Sequence, residues 1–385
     1  MRKHTIPLAW SLLVHDKVRF VWSIAGVSFA VLLMFVEMGF LNGVFDSETL
    51  IIKAFNADIL MVSRLKDDCY TRQPFPRSRI RQAMAMGGVE TVYPIYMEWL
   101  PLKVMDNSKI QMVILFAFNT FDPVLLIPEL NQYAATLKRP GTMLMDYTAR
   151  KYSYGEVRAG MKMELRGRGL EVVGTFPLFA NYSTDGHVIM DDSNLLALWP
   201  DGKERLGRIN LVDFGLIRLK PGVTPGAAIS ALRAALPSDV SFLTKQEMVE
   251  RVEAMWRRSQ PVVEVFGLGM LIGFVIGIII CYQILFTSIE DLRAEFATIK
   301  AMGYTNRYLV KLVLQKGFYL ALLSFVPGLT ASVFVYSLLQ SITGIMMRFT
   351  PVRIGSVFLL TLGMCMISAM IAVRKVLKSD PAEVF

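Results

Sequence analysis

Four long apolar runs, one near the start of the chain and three towards its end, limit what this sequence can fold into more than any other feature. They occupy residues 20–44, 262–289, 317–347 and 354–373. A bilayer core about 30 Å thick needs roughly 20 apolar residues in helix, and each run supplies them. Between the first and second runs, the stretch 45–260 has the mixed composition of a water-exposed domain. The 1 + 3 layout makes that domain an insertion on one side of a small membrane unit. Such a chain suits passing force or a signal across a membrane better than forming a pore alone.

Composition agrees. Hydrophobic residues make up 54% and charged residues 19%, below the roughly 25% charged residues of soluble proteins. The net charge of +9 does not point to nucleic acid, because of where it lies: residues 45–260 carry 27 Lys and Arg against 24 Asp and Glu, the remainder 14 against 8. The excess sits in short segments flanking the runs, where basic residues set orientation. Arg2, Lys3, Lys17 and Arg19 precede the first run. Arg293, Lys300, Arg307, Lys311 and Lys316 lie between the second and third, and Arg374, Lys375 and Lys378 follow the fourth. The loop before the fourth has only Arg348 and Arg353. These counts predict a multi-pass inner-membrane protein with both termini and the 290–316 loop cytoplasmic and the large domain outside. The first run is longer than a signal-peptide core and lacks an A-x-A-like cleavage site, so it reads as a retained signal anchor.

The fold class expected is an α-helical membrane protein with four transmembrane helices and a large α+β exterior domain. Residues 1–19 read as an interfacial amphipathic helix. Within the exterior domain, 45–109 and 209–260 each show a strand–helix–strand order, giving two βαβ-like halves around a β-rich insertion at 110–208. In the first half, strand 57–63 leads to a helical pattern at 76–86 and a strand-rich 89–104 broken at Pro94 and Pro101. In the second, strand 211–219 is followed by a helix opening at Thr224-Pro225, then strand 240–243. Thr244 and Glu247 form a capping box for a helix over 245–260, which is expected to run rigidly into the second span. Inside the insertion, 161–171 reads as a hairpin turning at Arg166-Gly167-Arg168-Gly169, and 182–190 as strand-like with a turn at Thr184-Asp185-Gly186.

Chemistry is sparse. Cys69, Cys281 and Cys365 allow no disulfide within the exterior domain, and with three histidines no zinc site is plausible; no metal is expected. There is no G-x-x-x-x-G-K-[ST] phosphate loop and no G-x-S-x-G elbow, so the chain reads as non-enzymatic. His187 near Asp185 sits in turn-like sequence, where a catalytic role is disfavoured. Glu37 and Glu264 lie near the outer ends of spans, where a carboxylate can snorkel to the interface. In the second span Gly269, Gly273 and Gly277 recur every four residues on one helix face, which allows close backbone approach. That face serves either a homodimer contact or packing within the chain. The cytoplasmic loop suits a short helix over 295–301 ended by Gly303, with Phe296, Ile299 and Met302 as an apolar face for docking into a partner.

The loop EFATIKAMGYTN, the preceding FGLGMLIGFVIGIIICYQILFTSIEDLRAEF and the ending SDPAEVF resemble the DevC-type permeases, within the FtsX/MacB-like group of ABC transporter membrane subunits. The N-terminal IPLAW, FVWSIAGVSFAVLLMFVEMGF and ADILMVS fit the same opening, so the resemblance covers nearly the whole chain. It is loose across the β-rich insertion, and WRRSQP before the second span is unusually basic. The resemblance implies a MacB-like exterior domain in a homodimeric permease. Its energy would come from a separate P-loop ATPase subunit that holds ATP and Mg; this chain would bind no cofactor itself. Glu295, Phe296, Ala301, Gly303 and Tyr304 fall in the loop that would engage the ATPase. The exterior domain would meet a periplasmic membrane fusion protein and, through it, an outer-membrane channel. The implied function is type VII, mechanotransmission export of an amphiphile such as a glycolipid or drug. An FtsX-like coupler controlling cell-wall hydrolases, or a lipoprotein-releasing permease, would use the same parts.

Overall fold

A computed structural model describes Trp10, Leu13, Val14 and residues 16–105, 109–199, 202–259, 261–291, 302 and 305–378. The chain divides into two compact units. One comprises Met1–Asn42, Pro261–Leu338 and Met347–Phe385; the other comprises Gly43–Gln260 and Leu339–Met346.

The first unit holds most of four long helices, Lys17–Glu48, Pro261–Asp291, Asn306–Thr343 and Pro351–Lys378, each long and apolar enough to cross a membrane. Arg19 at the start of the first helix pairs with Asp291 at the end of the second, and buried Lys316 donates to Ser288 Oγ at 3.0 Å. The first and third helices therefore begin at the end of the bundle where the second stops. Small residues bring the helices together, as expected where no hydrophobic driving force separates helix from lipid. Ser28 Oγ donates to Ser324 O at 2.8 Å, and a Cβ on Gly328 would lie 2.8 Å from Val31. The Tyr336 ring covers Gly39, and its hydroxyl donates to Phe35 O. Ser368 Oγ on the fourth helix donates to Ile278 O on the second at 2.7 Å.

Among the described residues the second unit has eleven strands: β1 (Ile59–Ser63), β2 (Phe75–Pro76), β3 (Val89–Val104), β4 (Ile110–Phe118), β5 (Thr142–Asp146), β6 (Lys162–Leu165), β7 (Arg168–Phe176), β8 (His187–Asp191), β9 (Leu211–Val212), β10 (Phe214–Leu219) and β11 (Val240–Leu243). Nine form one sheet in the order β11-β1-β10-β3-β4-β8-β5-β7-β6, while β2 and β9 pair separately. The two strand–helix–strand segments expected from the sequence interleave in one antiparallel sheet, β11-β1-β10-β3. This is a ferredoxin-like βαββαβ arrangement. Its helices Ser78–Met84 and Pro225–Ala235 bury Ile80, Ala83, Ala228, Ile229 and Leu232 in the core.

The insertion is a closed barrel. The far half of β3 pairs with β4 and, on its other side, with β6, so β3-β4-β8-β5-β7-β6 forms a ring. Alternate residues point inward: Leu100, Leu102 and Val104 on β3, Val113, Leu115 and Ala117 on β4, Val188 and Met190 on β8. This is the period-two pattern a filled barrel requires. The barrel draws its first strand from outside 110–208, and that stretch also contains the helices Pro128–Leu137, Lys151–Tyr154, Asp192–Ala197 and Gly202–Ile209. Four short helices were not legible there as separate elements.

Several local expectations change. β3 is one strand of 16 residues, unbroken at Pro94 and Pro101. Asp213 N donates to Ile95 O at 2.9 Å, which directs Ile95 towards β10 and, by alternation, Pro94 towards the side where β4 begins to pair only at Tyr96. Pro101 faces the other side, where β6 begins only at Leu102. Neither proline has to supply a ladder N–H. The strand expected at 182–190 is confined to His187–Asp191. The 166–169 turn closes the β6–β7 hairpin as expected, with positive φ at Arg166 and Gly167. The Thr244 capping box is present: Thr244 N donates to Glu247 Oε2 at 2.7 Å and Glu247 N to Thr244 Oγ1 at 3.1 Å. That helix is described over Lys245–Ser259; the junction at Gln260, read above as a rigid link, lies outside the described residues, as does most of 1–19. The third long helix stops at Thr343, short of the 347 expected, because Gly344 turns the chain at φ +70°.

Candidate coupling site

At 1.5 Å per residue, the 32-residue first helix is about 48 Å long and the 38-residue third about 57 Å. Both exceed a 30 Å hydrocarbon core. Their last turns, from Gly43 and from Leu339, belong to the β-rich unit. Both are gripped there by one loop, residues 177–186 between β7 and β8.

The loop is held internally by side chains of the preceding turn. Asp146 Oδ1 accepts from Thr148 N at 2.9 Å and Leu178 N at 3.2 Å, and Thr148 Oγ1 accepts from Phe179 N at 2.7 Å. Asn181 and Thr184 bond reciprocally: Thr184 N donates to Asn181 Oδ1 at 2.7 Å, and Asn181 N to Thr184 O at 3.1 Å. Such Asx-type contacts let a short polar segment keep one shape without a ladder.

Arg150 ties this loop to the end of the third helix. Its planar fork donates to Thr343 O and Asn181 O, each at 2.9 Å, and pairs with Asp185. Five fixed donors suit a guanidinium to bridging three acceptors at once. Next to it, Ala180 and Ile345 form a parallel β-bridge. Gly344 fits between them for two reasons: its φ is +70°, and an added Cβ would lie 3.0 Å from Ala180 Cβ and 3.2 Å from Thr148 O. The end of the first helix enters by Glu48, whose buried carboxylate accepts from Ser183 N and Ser183 Oγ, both at 3.1 Å. Tyr182 meets the Trp256 ring edge-on at 5.6 Å on the Lys245–Ser259 helix, and the Arg257 guanidinium sits 4.6 Å over Phe45. Three segments that adjoin membrane helices thus converge on a ten-residue loop.

None of Glu48, Arg150, Ser183 or Gly344 stands out in the sequence. The only visible signal was the Thr184-Asp185-Gly186 turn; its partners are far away in the chain. Asp185 engages Arg150, not His187. His187 is buried, with Nδ1 3.4 Å from Asp146 and its ring flanked by Tyr70 and Phe116. A second buried polar group joins Arg72 and Arg208 to Glu98 and sets Arg72 3.8 Å from Asp213, whose carboxylate accepts from Met97 N at 2.9 Å. Burial pushes the Asp213 carboxyl above its ordinary range and the Lys66 amine below its own. No cluster of metal-ligating side chains occurs among the described residues.

The glycine face of the second helix is occupied within the chain. Cβ atoms added to Gly269, Gly273 and Gly277 would lie 2.6 Å from Glu37 Cδ, 3.6 Å from Leu33 Cβ and 3.1 Å from Ala30 Cβ respectively, all on the first helix. Of the two uses read from the sequence, this is intrachain packing. Glu37 is thereby placed against Gly269, and Glu264 lies in the first turn of the second helix. Glu295, Phe296, Ala301, Gly303 and Tyr304 lie outside the described residues.

Residues 20–235 match the family model of the MacB-like periplasmic core domain, and residues 267–381 that of the FtsX-like permease C-terminal domain. The chain is an FtsX/MacB-like ABC permease. Solved structures similar to it include the periplasmic region of MacB from Actinobacillus actinomycetemcomitans, 13% identical, with a TM-score of 0.36 over 52% of this chain and 95% of that one. The extracellular domain of the noncanonic ABC-type transporter YknZ from Gram-positive bacteria is 12% identical, with a TM-score of 0.33 over 48% and 99%. A permease domain from Porphyromonas gingivalis is 15% identical, with a TM-score of 0.32 over 49% and 89%. No curated protein matches the chain. As a member of this family the permease is a multi-pass membrane component of an ABC transporter, a class that works with an ABC ATPase.

Proposed function

We propose that this permease transmits movement driven by a separate P-loop ATPase, with ATP and Mg bound in that partner, to its MacB-like domain. That domain, in the periplasm, would work with a membrane fusion protein and an outer-membrane channel to expel an amphiphile such as a glycolipid. The chain would act as a DevC-type homodimer in the inner membrane with both termini cytoplasmic. The observation that carries the reading is the 177–186 loop, gripped by Glu48 at the end of the first long helix and by Thr343–Ile345 at the end of the third. A helix displaced along its axis at the ATPase side would pull directly on a folded loop of the exterior domain. The four spans carry few charged residues, which fits expulsion from the exterior side.

Two experiments test this. Purification of the intact permease in mild detergent should recover an ABC ATPase together with a membrane fusion protein; recovery of a cell-wall hydrolase or its activator in place of the fusion protein would refute export. Gly303→Pro or Glu295→Arg, in the loop proposed to dock the ATPase, should abolish stimulation of ATP hydrolysis while membrane insertion stays intact. Unchanged stimulation in both variants would remove the docking role.

A further inference from the structure

The described part of the membrane unit contains a cleft of about 490 Å³ that the transmission mechanism does not use. It is lined by Arg307, Lys311, Gln315, Leu314, Phe318 and, from the fourth helix, Met366. The third-helix residues recur at intervals of three and four, so they form one continuous stripe. The stripe is graded: the cations come first, then Gln315 beside Leu314, then Phe318. From Arg307 to Phe318 the helix rises about 16 Å, the scale of a lipid headgroup and the upper part of its chains.

Two further observations set the depth and the chemistry. Tyr319, which also lines the cleft, meets Trp10 edge-on at 5.8 Å. Tryptophan and tyrosine concentrate at the level of lipid headgroups, where one end of the ring is apolar and the other wet. The aromatic pair therefore marks the inner edge of the headgroup layer beside Phe318, and Lys311 and Arg307 lie about 12 and 18 Å further along the helix towards the aqueous side. Arg307 and Lys311 are exposed, and among the described residues neither carries an ion pair. Phe318, in a spanning helix, is 44% exposed and so open to lipid. Two unneutralised cations over an apolar slot are complementary to one common amphiphile, a lipid with a negative headgroup and acyl chains.

We propose that this cleft is a binding site for an anionic phospholipid. Arg307 and Lys311 engage the phosphate, Gln315 bonds the ester region, and Leu314, Phe318 and Met366 receive the acyl chains. Bound lipid would fill the slot between the third and fourth helices at their basic end.

The test uses the full-length permease in phosphatidylcholine nanodiscs, with brominated lipid as a quencher of Trp10 fluorescence and Trp10→Phe to isolate that signal. Brominated phosphatidylglycerol should quench Trp10 at about tenfold lower mole fraction than brominated phosphatidylcholine, since each cation near a membrane surface strengthens anionic-lipid binding severalfold. Arg307→Gln combined with Lys311→Gln should abolish that preference; both residues are exposed, so folding is not at stake. Phe318→Ala should weaken quenching by both lipids. Equal quenching by the two lipids, or an unchanged preference in the double variant, overturns the proposal.

Discussion

Replacing Arg150 by Gln should loosen the 177–186 loop and the end of the third helix together. The side chain makes contacts to Thr343 O, Asn181 O and the Asp185 carboxylate, and the Arg150 and Asp185 side chains are only 16% and 19% exposed. A hydrogen bond from a charged group contributes about 1.5–3 kcal/mol. Glutamine can keep one contact, and Asp185 retains Ser153 Oγ at 2.7 Å, so the net loss is about 3 kcal/mol. At about 1.4 kcal/mol per factor of ten, local opening becomes roughly a hundredfold more frequent. Hydrogen exchange of the full-length protein reads this directly, since protected amides report the free energy of the opening that exposes them. The amides of Asn181, Thr184 and Gly344, bonded to Thr184 O, Asn181 Oδ1 and Gln340 O, should exchange about a hundredfold faster. Those of Val188 and Met190 in β8 should not change. Arg150→Lys keeps a charge for Asp185 but lacks the planar fork, and should fall between. Unchanged protection at Asn181, Thr184 and Gly344 in Arg150→Gln would refute the idea that this residue fastens the helix to the loop.

Gly344→Ala should destabilise more than Gly167→Ala, although both positions have positive φ, because only at Gly344 does the new Cβ meet neighbours, at 3.0 and 3.2 Å. The shared backbone strain costs about 1–2 kcal/mol, so equal losses of melting temperature for the two variants would show that the close approach at Gly344 is unimportant. Gly277→Leu would drive a branched side chain into Ala30 and Met364 and should lower the melting temperature of the permease in detergent, typically by several degrees. If crosslinking instead shows the variant folded at the wild-type temperature with only its dimer lost, the intrachain assignment of this face is wrong.

The membrane helices were legible because their signal is one-dimensional. An apolar run of spanning length has few other uses, and the four runs fall within Lys17–Glu48, Pro261–Asp291, Asn306–Thr343 and Pro351–Lys378. Local turn chemistry was equally readable: Thr244 with Glu247, Pro225 at a helix start and the 166–169 turn act through neighbours a few residues away. The order of strands and helices in the exterior domain could also be followed. Its topology could not. Whether two strand–helix–strand segments form two sheets or interleave in one depends on pairings such as Leu60 with Leu216 and with Leu243, which no local pattern encodes. The closed barrel likewise required β3 to pair with β6 across some 60 residues of chain. At Gly269, Gly273 and Gly277 the sequence called for close approach by some helix, and only packing decided that it is the first helix of the same chain. The candidate coupling site is the extreme case. Arg150, Glu48, Ser183 and Gly344 lie far apart in sequence and share no motif, because each serves by position and not by chemistry. Sequence alone determined which segments are long and apolar enough to cross a membrane. Only the tertiary structure decided that the ends of the first and third helices meet one loop of the MacB-like domain, since such a meeting consists of contacts between distant segments.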